Sequence, residues 1–121
     1  MVANGASFPR RARLSGRNAF SHIFAQPVRS ADRYFTVFAR PNDLAYPRLG
    51  LAISRKVAKS AVARNRIKRI VRESFRHHQQ LLDGLDCVVT GRNGAAQQDN
   101  ATLFALLQRH WHKLAHLCAL S

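Results

Sequence analysis

Acidic side chains are scarce. Six Asp and Glu stand against 20 Lys and Arg, leaving a formal net charge of +14 over 121 residues. The acids, Asp32, Asp43, Glu73, Asp83, Asp86 and Asp99, are scattered along the chain. A protein nuclease that uses two metal ions needs clustered carboxylates, so this pattern argues against one and leaves no protein metal site. Asp83 and Asp86 are the only close pair, and a helix-to-strand turn accounts for them. Cysteine is nearly missing too. Cys87 and Cys118 are too few for a disulfide scaffold and lack metal-ligand spacing, so both read as reduced core thiols of a cytoplasmic protein. No apolar run approaches the roughly 18 residues of a membrane-spanning helix. Arg10, Arg11 and Arg13 are followed by no apolar stretch of the kind a secretory signal needs.

Apolar residues make up 46% of the chain, enough for a core, and the length suits a single domain over 1–121. Residues 1–14 read as a flexible basic arm. Ser15 is a plausible N-cap for a short helix over 16–25, in which Phe20, Ile23 and Phe24 share one face. Asp32–Arg40 alternates as a strand, with Phe35, Val37 and Ala39 on one side and Tyr34, Thr36 and Phe38 on the other. Leu49–Ser54 is a second strand whose small face is Gly50, Ala52 and Ser54. A long helix over 60–78 leaves through a turn at Gly84, and a short strand runs from Asp86 to Gly91. Asn100 can cap a last helix with Leu103, Leu106, Leu107, Trp111, Leu114 and Leu117 at helical period. A further short strand is expected between Pro41 and Leu49. The order, approximately αβββαβα, points to an α+β fold, a small α/β sandwich.

The long helix carries the strongest signal. At about 100° per residue, Ile67, Ile70, Val71, Ser74 and Phe75 fall in one sector. Lys68, Arg72, Asn65, Arg76, Arg69 and Arg66 fill the opposite one, with Arg64 at the boundary. A solvated helix face ordinarily mixes signs through i, i+4 pairs, yet Glu73 is the only acid between Asp43 and Asp83. Uncompensated cations repel one another, and a polyanion relieves that repulsion by releasing its counterions. Nucleic acid fits better than anionic lipid, because the apolar face is needed by the core. Charge alone does not separate RNA from DNA.

The run Ala63-Arg-Asn-Arg-Ile-Lys-Arg-Ile-Val-Arg-Glu-Ser-Phe-Arg76, preceded by Arg48-Leu-Gly-Leu-Ala-Ile-Ser-Arg-Lys-Val57, resembles the signature of the bacterial ribonuclease P protein family. The Phe20–Phe24 helix and the strand to Phe38 fit the same likeness, which covers about residues 8–118. The resemblance implies a four-stranded sheet packed with three helices and a left-handed β-α-β crossover. It implies a ribonuclease P holoenzyme component with no catalytic side chain, since an RNA subunit with Mg²⁺ removes the 5′ leader from precursor tRNA. Arg55, Lys56, Arg64, Asn65, Arg66, Lys68, Arg69 and Arg72 would then bind the catalytic RNA. Phe20, Phe24 and Phe38 would line a leader cleft floored by Gly50, Ala52 and Ser54, with Arg13 and Arg17 assisting either surface. Mg²⁺ would be held mainly by RNA, and neither a membrane nor an obligate protein partner is expected. A ribosome-associated or chaperone-like RNA binder is the alternative. The six histidines read as surface groups near phosphate.

Overall fold

The structure, a computed structural model, describes Arg13, Leu14, Ile23 and residues 27–119. Four strands, β1 (Val28–Ala31), β2 (Phe35–Pro41), β3 (Arg48–Ala52) and β4 (Leu85–Gly91), form one sheet in the order β1-β2-β4-β3. β2 pairs antiparallel with both β1 and β4, whereas β3 and β4 are parallel. Parallel neighbours require a crossover, and helix α1 (Ala61–Arg76) supplies it. A 3-10 turn (Ala95–Gln97) precedes helix α2 (Asn100–Ala119).

The fourth strand is not between Pro41 and Leu49, where the sequence suggested one. It is Val28–Ala31, a segment whose alternation is hidden because its inward residue is Ser30. Asp32 closes the β1–β2 hairpin: its Oδ1 accepts the N–H of Tyr34 at 2.7 Å and of Phe35 at 2.8 Å. That turn takes Tyr34 off the Phe38 face and packs it against the main core. Residues 42–46 are instead a loop held by Asn42, whose Nδ2 donates to Tyr46 O at 3.1 Å.

The main core lies between the sheet and the two helices. Phe35, Val37, Leu49, Cys87 and Val89 meet Ile67, Ile70, Val71 and Phe75 of α1 and Leu103, Leu107, Trp111 and Leu114 of α2. Phe75 and Trp111 pack edge to face at 5.9 Å, and the indole N–H donates to Ser74 Oγ at 2.8 Å. That bond explains a serine in the apolar stripe, because a buried indole N–H needs a partner. On the other side of the sheet Leu14, Ile23 and Val88 form a smaller cluster with Phe38 beside it.

Several boundaries move. The arm expected over 1–14 ends earlier, since Leu14 is buried and donates its N–H to Leu49 O at 2.7 Å, while Arg13 bridges Leu49. Ile23 is helical and buried; the rest of the expected 16–25 helix, with Ser15, Arg17, Phe20 and Phe24, lies outside the described residues. β3 stops at Ala52, so Ser54 belongs to a turn closed by Val57 N–H to Ser54 O at 3.0 Å. Gly91 admits that turn: a Cβ there would come within 2.9 Å of a Val57 methyl. The cap of α2 is Asp99, whose Oδ1 accepts Thr102 N–H at 2.8 Å; Asn100 is already helical.

Candidate nucleic-acid interface

α1 begins at Ser60, whose hydroxyl accepts the Ala63 N–H at 3.3 Å. Its buried residues are Ile67, Ile70, Val71, Ser74 and Phe75, so the core fixes its rotation. Asn65, Arg69 and Arg72 are thereby exposed and Lys68 half-buried, while Arg55 and Lys56 are exposed in the turn before the helix. Among the described residues none of these six side chains makes a hydrogen bond or ion pair.

The other two predicted contact residues have intramolecular partners. Arg64 Nη1 donates to Ala58 O at 3.0 Å and Lys59 O at 2.8 Å, tying the helix to the preceding loop. Arg66 reaches across to α2: Nε to Asn100 Oδ1 at 3.0 Å, Nη1 to Ala96 O at 3.2 Å and Nη2 to Gln98 O at 2.5 Å. It sits at the edge of the cationic sector nearest the 95–100 segment. The only acid on the helix, Glu73, is held between Arg76 and His77, the latter at 3.1 Å. Hydrogen bonds from His77, then Arg76, hold its carboxyl below the usual carboxylate range. Arg13, from the segment beside β3, joins Arg69, Arg72, Glu73 and Arg76 around a groove of about 210 Å³.

The sheet face away from α1 is a second surface. Register aligns Arg29, Phe38, Val88 and Gly50 in one row and Ala31, Thr36, Thr90 and Ala52 in the next. Phe38 is half-buried against the Leu14–Ile23–Val88 cluster, in a row of the sheet that also holds Gly50. Of the expected floor residues, Gly50 and Ala52 belong to β3; Ser54 does not.

Two polar constellations escaped the sequence reading. Asp86, 1% exposed, accepts a forked pair from Arg48, Nε to Oδ1 at 2.8 Å and Nη2 to Oδ2 at 2.7 Å, plus Asn42 Nδ2 at 2.9 Å. That hydrogen bonding pushes the Arg48 guanidinium further up. His110 is buried rather than at the surface. Its Nε2 lies 2.5 Å from Asp32 Oδ2 and its Nδ1 2.7 Å from Ser30 Oγ. Burial holds its pKa below 6.5, which the Asp32 charge only partly offsets. The signal was present: position 110 continues the Leu103, Leu107, Leu114 stripe. Serine, histidine and aspartate in contact suggest a hydrolase, but Ser30 is 2% exposed and cannot meet a substrate. His77, His112 and His116 are exposed, as expected of surface groups.

Among the described residues there is no group of three or more His, Cys, Asp or Glu that could hold a metal ion. No helix there is long and apolar enough to cross a membrane. Cys87 and Cys118 are free, and burial pushes the Cys87 thiol far up, so it is inert.

Comparison with known proteins agrees with this geometry. The family model described as Ribonuclease P matches residues 8–115. The ribonuclease P protein component of Methylococcus capsulatus is 49% identical over 95% of this chain and 90% of its own. That of Photobacterium profundum is 44% identical over 94% and 97%. Among solved structures, a Staphylococcus aureus RNase P protein mutant with defective mRNA degradation activity superposes with a TM-score of 0.79 at 29% identity, covering 88% of this chain and 90% of that one. The Thermotoga maritima RNase P protein gives 0.75 at 33% identity, over 84% and 96%.

Proposed function

The chain belongs to the ribonuclease P protein family and so acts as the protein subunit of that endoribonuclease, and we propose that the outward face of α1 is what docks it on the catalytic RNA. The holoenzyme matures the 5′ end of tRNA, and the RNA subunit performs the catalysis. One observation carries the docking assignment: Asn65, Arg69 and Arg72 are exposed, with no hydrogen bond or ion pair among the described residues, on a helix whose rotation the core fixes. Arg55, Lys56 and Lys68 extend that face, while Arg64 and Arg66 hold the helix in place. Each phosphate neutralised there releases a counterion, which drives binding. Screening of phosphate repulsion would also help the RNA retain Mg²⁺.

The leader of precursor tRNA would lie on the opposite sheet face, over Phe38, Gly50 and Ala52, joined by Phe20 and Phe24. Aromatic stacking tolerates any base, as a leader of variable sequence requires. Family kinship also supports a third helix over 16–25, a left-handed hand for the β3–α1–β4 crossover, and a cytoplasmic location. The test is a salt titration of binding to the catalytic RNA. Arg69→Ala with Arg72→Ala should lower the log–log salt slope by about 2 and weaken binding at every salt concentration. An unchanged slope would remove α1 from the interface.

A further inference from the structure

Beyond the end of α1 the chain turns back toward β4, and between this turn and α2 lies an open groove of about 400 Å³. Arg76, His77, His78, Gln80, Leu81 and His112 line it. That volume is within the range of small-molecule sites, and the carboxylate beside it, Glu73, is already held by Arg76 and His77. We propose that this groove is a second docking point for the catalytic RNA, holding one unpaired nucleotide. The proposal rests on α1 being the docking helix and adds a site that the cationic face alone does not describe.

A helix C-terminus ordinarily repels phosphate through its bare carbonyls. Here they are occupied. Ser74 O faces His78 Nδ1 at 2.6 Å, Arg76 O accepts from Gln79 Nε2 at 3.1 Å, and Phe75 O accepts the His78 N–H at 3.0 Å. The Ser74 contact makes Nδ1 the donor in His78 and leaves Nε2 to face a ligand. The His78 and His112 rings meet at 84° with centroids 6.1 Å apart, and Leu81 is 37% exposed beside them. A base can lie against such a surface, with the Gln80 amide at its edge. Arg76 supplies the second, independent sign. Its Nε is buried with no hydrogen-bond acceptor among the described residues, and buried donors are normally satisfied. Its Nη2 is held by Glu73, so Nε is the donor left for an acceptor that a ligand brings. Arg76 also lines the neighbouring groove with Arg69 and Arg72, so the site continues the α1 face. The leader surface lies on the far side of the sheet, which favours catalytic RNA over substrate as occupant.

The experiment compares native protein, Gln80→Glu and the pair His78→Ala/His112→Ala. Affinity for the catalytic RNA is measured first, then affinity of each preassembled holoenzyme for precursor tRNA. Gln80 is exposed, so Gln80→Glu keeps the fold while placing an anion at the site; it carries the test alone should the histidine pair fail to fold. Both variants are expected to bind the catalytic RNA about 5- to 10-fold more weakly at moderate salt, with precursor binding unchanged. Native affinity in Gln80→Glu, with Arg69→Ala/Arg72→Ala still weakened, overturns the groove and spares the helix. A loss confined to precursor tRNA overturns it in favour of a substrate site. Native affinity in the arginine variants as well overturns the docking reading itself.

Discussion

Charged groups are used in opposite ways on the outward face of α1 and in the polar clusters beneath the sheet and between helices. Asp86 is buried and satisfied three times over, by both arms of Arg48 and by Asn42. Asp32 shapes a hairpin and anchors His110, Asp99 caps α2, and Glu73 is held by Arg76 and His77. Among the described residues Asn65, Lys68, Arg69 and Arg72 have no such partners. Four of the six acids are engaged in local structure, and 20 Lys and Arg stand against them. The difference teaches that net charge is not spread passively over this surface. Scarce acids support the fold, and abundant cations are left for a polyanion.

Arg48→Ala should break the buried side of this comparison hardest. It leaves the Asp86 carboxylate buried and short of its main partner, at a cost of about 3 to 5 kcal/mol in urea unfolding. Arg66→Ala tests the boundary between the two classes. Three hydrogen bonds join Arg66 to the 96–100 segment, so its loss should lower stability by about 1 to 3 kcal/mol. Arg69→Ala, three residues on, should stay within about 0.5 kcal/mol of native stability while weakening RNA binding. Equal stability losses in the two variants would erase the distinction. Ser60→Ala should cost about 1 kcal/mol through its cap and leave the salt slope unchanged. The smallest effect concerns pH. The folded pKa of His110 lies below its ordinary 6.5, so its contribution is fully present above that pH and is lost as pH falls through the folded value. Urea midpoints taken from pH 7.5 downward should show this drift, and His110→Gln should flatten it.

Much of this was legible beforehand. The two faces of α1 followed from period alone, because Ile67, Ile70, Val71 and Phe75 recur at helical spacing amid cations. The strand through Phe35–Ala39 was visible from its alternation, and that through Cys87–Val89 from its short apolar run. Less visible was β1, since a strand with one inward serine does not alternate in hydrophobicity. His110 was misread because residue type outweighed its position on the stripe. Arg66 was indistinguishable from Arg69 in the sequence, as both are arginines on one helix.

The sequence by itself determined that one helix would present cations outward and that their partner would be a polyanion, because periodicity and charge are local properties of a chain. Its likeness to a known signature narrowed that partner to RNA. Only the tertiary structure decided which cations are available. Arg66 is engaged because the 96–100 segment packs beside it, and Asp86 is unavailable because β4 is buried on both faces. Those facts depend on residues some 30 to 40 positions apart coming together, and no local pattern encodes that distance.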